Sequence, residues 1–556
     1  MDDKKNQVKT RTEEDMEKFG KTENEKDIRN RARSLAEAVY LHAVSTPDRI
    51  AAADKSGPHS YAELWDDISL AAGVLKDLGV KKGSRLVMEC SQDVLFLTVN
   101  LACQLLEAIF VGVERKVARG RLDEIVRQTE PVLMLMIKKD EASADSVCSM
   151  TIREFCALLN DKREAESRPE PESDTRCPKE EAAFGLAGKE RLCLAAQAVR
   201  NLKGDAVSEI IFSTGTTGKT KGAILTSSAN IANAQNVIDG VHMGPEAVEL
   251  VPLPINHAHG LRTCYAHLLN GSCVLIVNGI SFPRVVFDTM LKYGANALDL
   301  SPSAAQMLIN TSAARLKEIA STIDYVEVGA AFLPESTKQK LRECFPASRL
   351  YNFYGSSESG RACCLDFSKA ENLPGCIGLP VPNATFVVMG PDDTPIHSDA
   401  EHTGRLASAG PMNMSGYWRA PELSKETLKD GYVLTADLSY IDERGYIYVL
   451  GRQDDVIVYK GIKISPEEIE EAAAGCELVA DCACVPQEDE VAGQVPKLFV
   501  VAKDRETFRQ MDLFDYLKKH IDDNRMPRTI ELIDAIPRTY NGKLLRKELA
   551  AKAQTE

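Results

Sequence analysis

The sequence of 556 residues lacks the long apolar runs of a membrane protein and the apolar start of a secreted one. No run reaches the roughly eighteen apolar residues that cross a bilayer. The first segment, MDDKKNQVKTRTEEDMEKFG, has no apolar core of the kind a secretory signal needs. We therefore expect a cytoplasmic protein in which residues 1–34 form a charged lead-in that is either a frayed helix or disordered.

Cysteine pairs with metal-ligand spacing are also missing. The fifteen cysteines include no C-x-x-C pair, and most of them stand in apolar runs. This pattern indicates buried free thiols in a reducing compartment, and it argues against a structural zinc site.

Positive charge is in deficit, because 67 lysines and arginines face 82 aspartates and glutamates, for a formal net charge of −15. A surface of this sign repels nucleic acid and anionic membranes over most of its area, so neither is an expected partner. A local basic pocket for a phosphorylated ligand is compatible with this balance.

What the sequence does contain is a short loop that concentrates glycine, hydroxyl groups and lysine. Residues 212–222 read FSTGTTGKTKG, with three glycines, four threonines, one serine and two lysines. Glycine allows the backbone to approach an anion, hydroxyls donate hydrogen bonds to it, and lysine neutralises it. The apolar run before this loop and the segment AILTSSANIANAQNVI after it predict a strand, a phosphate loop and a helix.

The loop residues alone leave two other interpretations open. In the first interpretation, the loop is a solvated surface turn. In the second, Gly218, Lys219 and Thr220 are the end of a Walker loop, G-x-x-x-x-G-K-[ST], although Ser213 stands where its first glycine belongs.

The rest of the chain alternates short apolar strands with amphipathic helices, which predicts a mainly parallel α/β domain. Ser60 followed by Glu63 is typical of a capped helix start. From Gly404 the chain becomes β-rich, and after Asp454 a compact α+β unit begins with the predicted helix SPEEIEEAAA. The predicted fold class is α/β, with a large N-terminal domain of two α/β subdomains and a small β-rich subdomain over residues 35–454. A small mobile α+β domain follows over residues 455–556.

Five motifs occur in one order: the phosphate loop, YGSSE, GYVLTADL, GRQDD and PRTYNGKLLRKEL. Together they resemble the adenylate-forming superfamily, which includes acyl-CoA synthetases, aryl-CoA ligases, luciferases and the adenylation domains of nonribosomal synthetases. The likeness extends over roughly residues 35–550. It decides against the Walker interpretation, which predicts none of the last four motifs.

The resemblance implies an ATP site with Mg²⁺. It assigns the β- and γ-phosphates to the phosphate loop, through Ser213, Thr214, Gly215, Thr216, Thr217, Gly218 and Lys221. It assigns the adenine and ribose to Ala330, Ala331, Tyr354, Gly355, Asp437 and Arg452. Ser357 would contact the α-phosphate, and Glu358 with Thr217 would ligate Mg²⁺, a cation that prefers oxygen ligands.

The resemblance also implies a mobile C-terminal domain. Lys543 matches the family's adenylation lysine, which bridges the substrate carboxylate and the α-phosphate. Asp454 matches the hinge, about which the domain turns to withdraw Lys543 and bring up Lys460 and Gly461 for the pantetheine arm of coenzyme A.

The acyl substrate is less closely defined by the motifs. His257 stands where relatives that activate amino acids have an aspartate, so the resemblance implies a fatty or aromatic acid rather than an α-amino acid. It assigns His257, Arg262 and Gly329 to the acyl pocket. Arg262 would lie near that pocket or near the thiol tunnel, where we expect it to bind a polar or anionic group of the substrate. A packed core histidine and a surface or cofactor-phosphate arginine are the alternatives.

Several positions depart from the family pattern and mark a divergent member: Thr220, Ser227, Ser357, Ala436 and Val458. The expected activity is ligation of a carboxylic acid to coenzyme A with MgATP, releasing AMP and pyrophosphate. Loading of an acyl-carrier protein is one alternative, and a non-catalytic nucleotide sensor is the other.

Overall fold

The alternation of apolar strands and amphipathic helices persists through the computed structural model of the protein. The structure describes residues 25–138, 148–166, 189–214, 220–369, 371, 373–459, 462–489, 492–538 and 544–554. By their internal contacts these residues form two compact units. The first comprises residues up to 298 with 356–361 and 411–426, and the second comprises 299–355, 362–410 and the residues from 427 onward.

The helices are α1 Glu25–Arg31, α2 Leu35–Ser45, α3 Tyr61–Asp77, α4 Val94–Leu105, α5 Arg119–Thr129, α6 Ile152–Glu166, α7 Lys189–Asn201, α8 Ser227–Gly240, α9 Ala258–Asn270, α10 Pro283–Tyr293, α11 Pro302–Ile319, α12 Glu335–Cys344, α13 Pro421–Thr427, α14 Pro466–Ala474, α15 Gln510–Leu517 and α16 Arg546–Gln554.

The strands are β1 Ile50–Asp54, β2 Gly57–Ser60, β3 Arg85–Glu89, β4 Ile109–Val113, β5 Leu133–Met136, β6 Cys148–Thr151, β7 Val207–Thr214, β8 Thr220–Thr226, β9 Val248–Val251, β10 Cys273–Ile276, β11 Ala297–Leu300, β12 Tyr325–Val328, β13 Arg349–Ser356, β14 Gly360–Asp366, β15 Cys376–Pro380, β16 Thr385–Met389, β17 Pro395–Ile396, β18 Gly404–Ala409, β19 Gly416–Tyr417, β20 Leu428–Lys429, β21 Tyr432–Ile441, β22 Ile447–Arg452, β23 Ile457–Tyr459, β24 Ile462–Ile464, β25 Val479–Asp489, β26 Gly493–Ala502 and β27 Thr529–Leu532.

The first unit contains a seven-stranded sheet in the order β19-β8-β7-β4-β3-β5-β6. Its central strands pair in parallel, whereas β8 and β19 join antiparallel at one edge. The apolar side chains of the central strands form a buried core with the apolar face of α5. Strands β9, β10 and β1 also run in parallel in this unit, with β2 antiparallel to β1.

The second unit is β-rich, as the sequence predicts from Gly404 onward. Strands β16, β18, β21 and β22 pair antiparallel in succession. In the C-terminal segment, β25 and β26 form a long hairpin, and β23 and β27 both pair with β26, with β24 pairing with β23. One face of this small sheet packs against α14 and α15, and the other packs against α16.

Helix starts follow from local hydrogen bonds that the sequence predicts. Ser60 Oγ accepts from the Glu63 amide at 3.2 Å, and the Glu63 carboxylate accepts from the Ser60 amide at 2.8 Å, which makes a capping box.

At the N-terminal side, α1 begins at Glu25 and its Ile28 is buried. The described fold therefore begins ahead of the predicted boundary at residue 35. Residues 1–24 of the predicted lead-in lie outside the described residues. Within the described parts of the chain, no helix is both long and apolar enough to cross a membrane.

His42 in α2 makes the stability of the first unit sensitive to acid. Its ring is buried against Tyr61 and bonds the Leu269 carbonyl at 3.2 Å. Burial lowers the pKa of His42 from 6.5 to about 4, against a smaller raising effect of that hydrogen bond. Between these two pH values the unfolded chain binds a proton that the folded chain does not, so stability falls as the pH falls.

We expect this histidine to remove about 3 kcal/mol of unfolding free energy between pH 6.5 and pH 4. Urea midpoints measured across that range for the wild type and for His42→Gln check the expectation. The variant should lose less stability toward low pH. Parallel profiles for the two proteins would assign the acid sensitivity to other groups.

Candidate active site

The phosphate loop connects two antiparallel strands rather than a strand and a helix. Ser213 on β7 pairs with Lys221 on β8, and Thr214 pairs with Thr220. The prediction of a strand, a loop and then a helix is wrong here, because residues 220–226 continue the sheet before α8 begins at Ser227. The loop tip, residues 215–219, lies outside the described residues, and with it the predicted ligands Gly215, Thr216, Thr217 and Gly218.

Lys221, at the neck of this hairpin, contacts a carboxylate and a phenol. Its ammonium lies 2.9 Å from Oε1 of Glu358 and donates to the Tyr417 hydroxyl at 2.7 Å. The Tyr417 hydroxyl in turn donates to the same Glu358 oxygen at 2.7 Å. The structure therefore brings together two residues predicted from different motifs, and it adds a third.

Tyr417 was not among the predicted site residues. It reaches Lys221 because β19 pairs with β8 at the edge of the sheet, with Tyr417 opposite Ala223. Its backbone amide also donates to Ser424 Oγ at 2.8 Å. The sequence signal that could have found it is the Gly-Tyr-Trp run at residues 416–418, where two aromatic residues follow a glycine outside any predicted strand.

Glu358 stands in a turn that the YGSSESG sequence builds. Ser356 Oγ accepts from the backbone amides of Glu358 and Ser359, each at 3.1 Å. Gly360, which ends the turn, has φ +62°, and a Cβ there would lie 1.9 Å from Asn233 Oδ1. Glycine is therefore required at this position by both the backbone and the space.

The Glu358 carboxylate is ionised in this setting. Its side chain is only 13% exposed, and burial by itself would raise its pKa. The positive charge of Lys221 and the hydrogen bonds from Lys221 and Tyr417 outweigh that effect and lower the pKa of Glu358. An ionised carboxylate whose side-chain partners both contact one oxygen is a suitable ligand for a hard divalent cation, so the residues present fit Mg²⁺.

In the second unit, Tyr354 and Asp437 form a hydrogen-bonded pair in which the phenol donates to the carboxylate. Burial, followed by the charge of Asp437, raises the pKa of Tyr354 well above its ordinary value, so the phenol stays protonated. Asp437 on β21 lies directly opposite Arg452 on β22. The Nε of Arg452 is buried and has no hydrogen-bond partner among the described residues. An orphaned donor beside a carboxylate fits a site for a polar ligand such as a ribose.

The loop after β12 carries the three small residues predicted to line the adenine and acyl pockets. Gly329 is buried, whereas Ala330 and Ala331 are exposed. Ala330 adopts a left-handed backbone with φ 72°, a conformation that costs a residue with a Cβ about 1 kcal/mol. Strain of this kind tends to persist where a backbone position serves a site.

His257 is the N-cap of α9 in the first unit, and its side chain makes no hydrogen bond to that helix. Burial lowers the pKa of His257, while the charges of Glu114 and Arg121 act on it in opposite directions. The imidazole is therefore neutral at pH 7. Its assignment to the acyl pocket stays a prediction.

One alternative for Arg262 was a surface position, but the structure buries this residue. Its side chain is 2% exposed and forms a 2.6 Å ion pair with Glu209, which is equally buried. The Tyr265 hydroxyl donates to the other oxygen of Glu209 at 2.8 Å. The carboxylate of Glu209 neutralises the charge of Arg262 inside the protein. This pairing does not match the expectation that Arg262 binds an anionic group of the substrate.

These features match a known family. Residues 40–418 match the AMP-binding enzyme family, and residues 468–543 match the AMP-binding enzyme C-terminal domain. The chain belongs to the AMP-binding enzyme family. The predicted membership of the adenylate-forming superfamily is thereby confirmed.

Relatives of this AMP-binding enzyme include plant CoA ligases. The peroxisomal OPC-8:0-CoA ligase 1 of Arabidopsis thaliana is 26% identical over 536 residues, which covers 93% of each chain. The 4-coumarate–CoA ligase 2 of Nicotiana tabacum is 30% identical over 359 residues, or 63% of this chain and 66% of that protein.

Solved structures of similar fold include ATP-bound MatB from Rhodopseudomonas palustris, with a TM-score of 0.76, 22% identity and coverage of 94% of this chain and 99% of that chain. The o-succinylbenzoate CoA synthetase of Bacillus subtilis gives a TM-score of 0.77 at 20% identity, covering 92% and 97% of the two chains. At this level of identity the likeness establishes the fold. The predicted α/β class with a small C-terminal domain is confirmed.

The predicted C-terminal residues of this AMP-binding enzyme are only partly described. Asp454 is exposed in the turn after β22, where the Asp455 amide donates to the Arg452 carbonyl at 2.8 Å. Lys460, Gly461 and Lys543 lie outside the described residues. Their roles, and the domain boundary at residue 454, stay predictions.

The described residues beside Lys543 are firmly anchored, a feature that motif matching did not predict. Arg538 and Leu544 form an antiparallel bridge on either side of this lysine in the sequence. Arg546 bonds Glu470, contacts Glu467 at 2.8 Å and lies 3.7 Å from Asp455. Burial alone would lower the pKa of Arg546, but the charges of Glu470 and Glu467 raise it. This buried cluster links the start of α16 to the residue that follows the predicted hinge.

Proposed function

We propose that this chain is an ATP-dependent, AMP-forming acyl-CoA ligase that activates a fatty or aromatic acid. The observation that carries the proposal is the Lys221–Tyr417–Glu358 network at the neck of the phosphate loop. In this network a lysine ammonium lies beside an ionised carboxylate, and this pairing supports binding of phosphate by the first group and of a divalent metal by the second.

In the first step a carboxylate oxygen of the acid attacks the α-phosphorus of ATP. The bond from that phosphorus to the pyrophosphate oxygen breaks, and the products are an acyl-adenylate and pyrophosphate. Mg²⁺, when bound, neutralises phosphate charge and orients the leaving group. Glu358 and Thr217 are its proposed protein ligands.

The remaining assignments for this step follow the family motifs. Ser213 and Lys221 bind the outer phosphates, and Ser357 contacts the α-phosphate. Tyr354 stacks on adenine, and Asp437 accepts hydrogen bonds from the ribose hydroxyls. Support for the ribose assignment comes from the Tyr354 hydrogen bond that orients Asp437 and from the unpartnered Nε of Arg452 opposite it.

In the second step the sulfur of coenzyme A attacks the acyl carbonyl, AMP leaves, and the thiol loses its proton. Coenzyme A is the proposed acceptor because both relatives described above are CoA ligases. The aromatic substrate of the tobacco relative supports an acid of that class for this chain. Rotation of residues 455–556 about Asp454 would exchange Lys543 for Lys460 and Gly461 between the steps.

Pyrophosphate release across a panel of fatty and aromatic acids tests the proposal. We expect release that depends on MgATP and on at least one acid, and formation of a thioester together with AMP when coenzyme A is present. Hydroxylamine should trap the acyl-adenylate as a hydroxamate when coenzyme A is omitted.

Two outcomes would contradict the proposal. Thioester formation on a phosphopantetheinylated carrier protein but not on coenzyme A would identify a carrier-loading ligase. Nucleotide binding without pyrophosphate release for any acid would identify a non-catalytic nucleotide sensor.

A further inference from the structure

The three-residue network at Lys221 places two donors on a single oxygen of Glu358. The Lys221 ammonium and the Tyr417 hydroxyl both contact Oε1, at 2.9 and 2.7 Å. Among the described residues, no other side chain donates a hydrogen bond to this carboxylate. Side chains thus hold Glu358 through one oxygen, which leaves Oε2 for a further ligand.

Because the Glu358 carboxylate is largely buried, the ammonium of Lys221 is its main counter-charge. The side chain of Glu358 is 13% exposed and that of Lys221 is 28% exposed. An ionised carboxylate in such a setting needs a partner of opposite charge. Among the described residues, Lys221 is the only cation within ion-pair distance of Glu358.

Tyr417 and Lys221 differ in how freely they can move away from Glu358. Tyr417 is fixed by the pairing of β19 with β8 and by the bond from its amide to Ser424, and its ring is buried. Lys221 carries its charge on a flexible four-carbon stem and lies 4.8 Å above the Tyr417 ring. The ammonium can therefore move to a phosphate oxygen while the tyrosine hydroxyl stays on Glu358.

We propose that Lys221 couples metal binding to nucleotide binding by competing with the divalent cation for Glu358. Without nucleotide, the ammonium occupies the carboxylate and repels a metal ion there. A nucleotide phosphate draws the ammonium away, and Glu358 then becomes available to the metal in the orientation that Tyr417 maintains. The inference rests on the proposed function, in which Glu358 is a metal ligand and Lys221 a phosphate ligand.

Thermodynamic linkage makes this coupling reciprocal. If nucleotide increases the affinity for the metal, the metal increases the affinity for nucleotide by the same factor. Removing the ammonium should remove the competition, so a variant lacking Lys221 should bind metal more tightly in the absence of nucleotide. The same variant should bind nucleotide more weakly, because it has lost a phosphate ligand.

Direct binding of Mn²⁺ to the full chain, followed by electron paramagnetic resonance without nucleotide, tests the inference. We expect Lys221→Met to bind Mn²⁺ at least about tenfold more tightly than the wild type. The gain should vanish in Lys221→Met/Glu358→Gln, which lacks the proposed ligand. Lys82→Met is the matched control, since it frees Glu107 from an exposed lysine in the same unit. That variant should bind Mn²⁺ as the wild type does.

Tryptophan fluorescence gives a second readout that is independent of turnover. The chain has two tryptophans, and Trp65 is buried in the core while Trp418 is half-buried beside Tyr417. Titration with a non-hydrolysable ATP analogue, with and without Mg²⁺, should show a coupling factor of about tenfold in the wild type. The factor should be close to one in Lys221→Met. Tyr417→Phe keeps the ring and loses the hydroxyl, and it should retain the coupling but bind Mg²⁺ more weakly with nucleotide present.

Unchanged Mn²⁺ affinity in Lys221→Met, or a gain that persists without Glu358, would overturn the inference. Lys221→Gln repeats the test with a polar side chain, and equal urea midpoints confirm that each variant is folded. Failure of the proposed function gives a different result, because the wild type would then release no pyrophosphate with any acid. A wild type that releases pyrophosphate without the coupling refutes the inference alone.

Discussion

Replacing Lys543 with alanine is expected to slow acyl-adenylate formation by about a hundredfold to a thousandfold, the usual effect of removing one positioned electrostatic donor. The reason is that its ammonium would bridge the substrate carboxylate and the α-phosphate as negative charge develops. Thioester formation from supplied acyl-adenylate and coenzyme A should continue, because that step does not use this lysine. Separate assays of pyrophosphate release and of thioester formation check the two halves.

Lys519→Ala is the matched control for this experiment, since Lys519 is an exposed lysine in the same C-terminal segment. It should leave both half-reactions unchanged. Equal loss of both half-reactions in Lys543→Ala would contradict the assignment of the lysine to one step only. The structure describes only the residues that flank Lys543. Among them, Arg538 and Leu544 pair with each other, and Arg546 anchors the helix that follows.

Replacing Arg262 with methionine should lower the free energy of unfolding by about 3–5 kcal/mol. The substitution leaves Glu209 buried without its counter-charge, at a position where both side chains are 2% exposed. Tyr265 would still donate to Glu209, but one neutral hydrogen bond does not replace a charge. Denaturant midpoints of the wild type and the variant measure the effect.

Two further variants make this experiment decisive. Arg284→Met removes an arginine that is 90% exposed and contacts Asp288 one helical turn away, and it should cost less than about 0.5 kcal/mol. Glu209→Gln combined with Arg262→Met should recover part of the loss, since no unpaired charge remains. An unchanged midpoint with an altered KM for the acid would instead support the original expectation that Arg262 reads the substrate.

Local patterns were sufficient for the predictions that depend on neighbouring residues. The capping box at Ser60 and Glu63 needs only residues three apart, and the structure contains it. The order of five motifs indicated the superfamily because each motif is short and contiguous. The phosphate loop was correctly predicted to follow a strand, since a short apolar run leads directly into the glycine-rich residues.

The segment after that loop shows where local patterns fail. Residues 223–238 contain small residues that favour a helix, and the prediction began the helix too early. In the structure, residues 220–226 pair with β7 instead. A strand of this length is stabilised by its partners in the sheet, and a single segment does not reveal whether such partners exist.

The sequence by itself determined the family, the α/β class and the motif residues, because those properties are carried by contiguous residues. Only the tertiary structure decided which charges neutralise one another. Tyr417 meets Lys221 and Glu358 across separations of 196 and 59 residues, and Arg262 meets Glu209 across 53. Such contacts arise from strand pairing and helix packing between distant segments. Lys221 was therefore predicted as a phosphate ligand, but its competition with a metal for Glu358 could be inferred only from the folded chain.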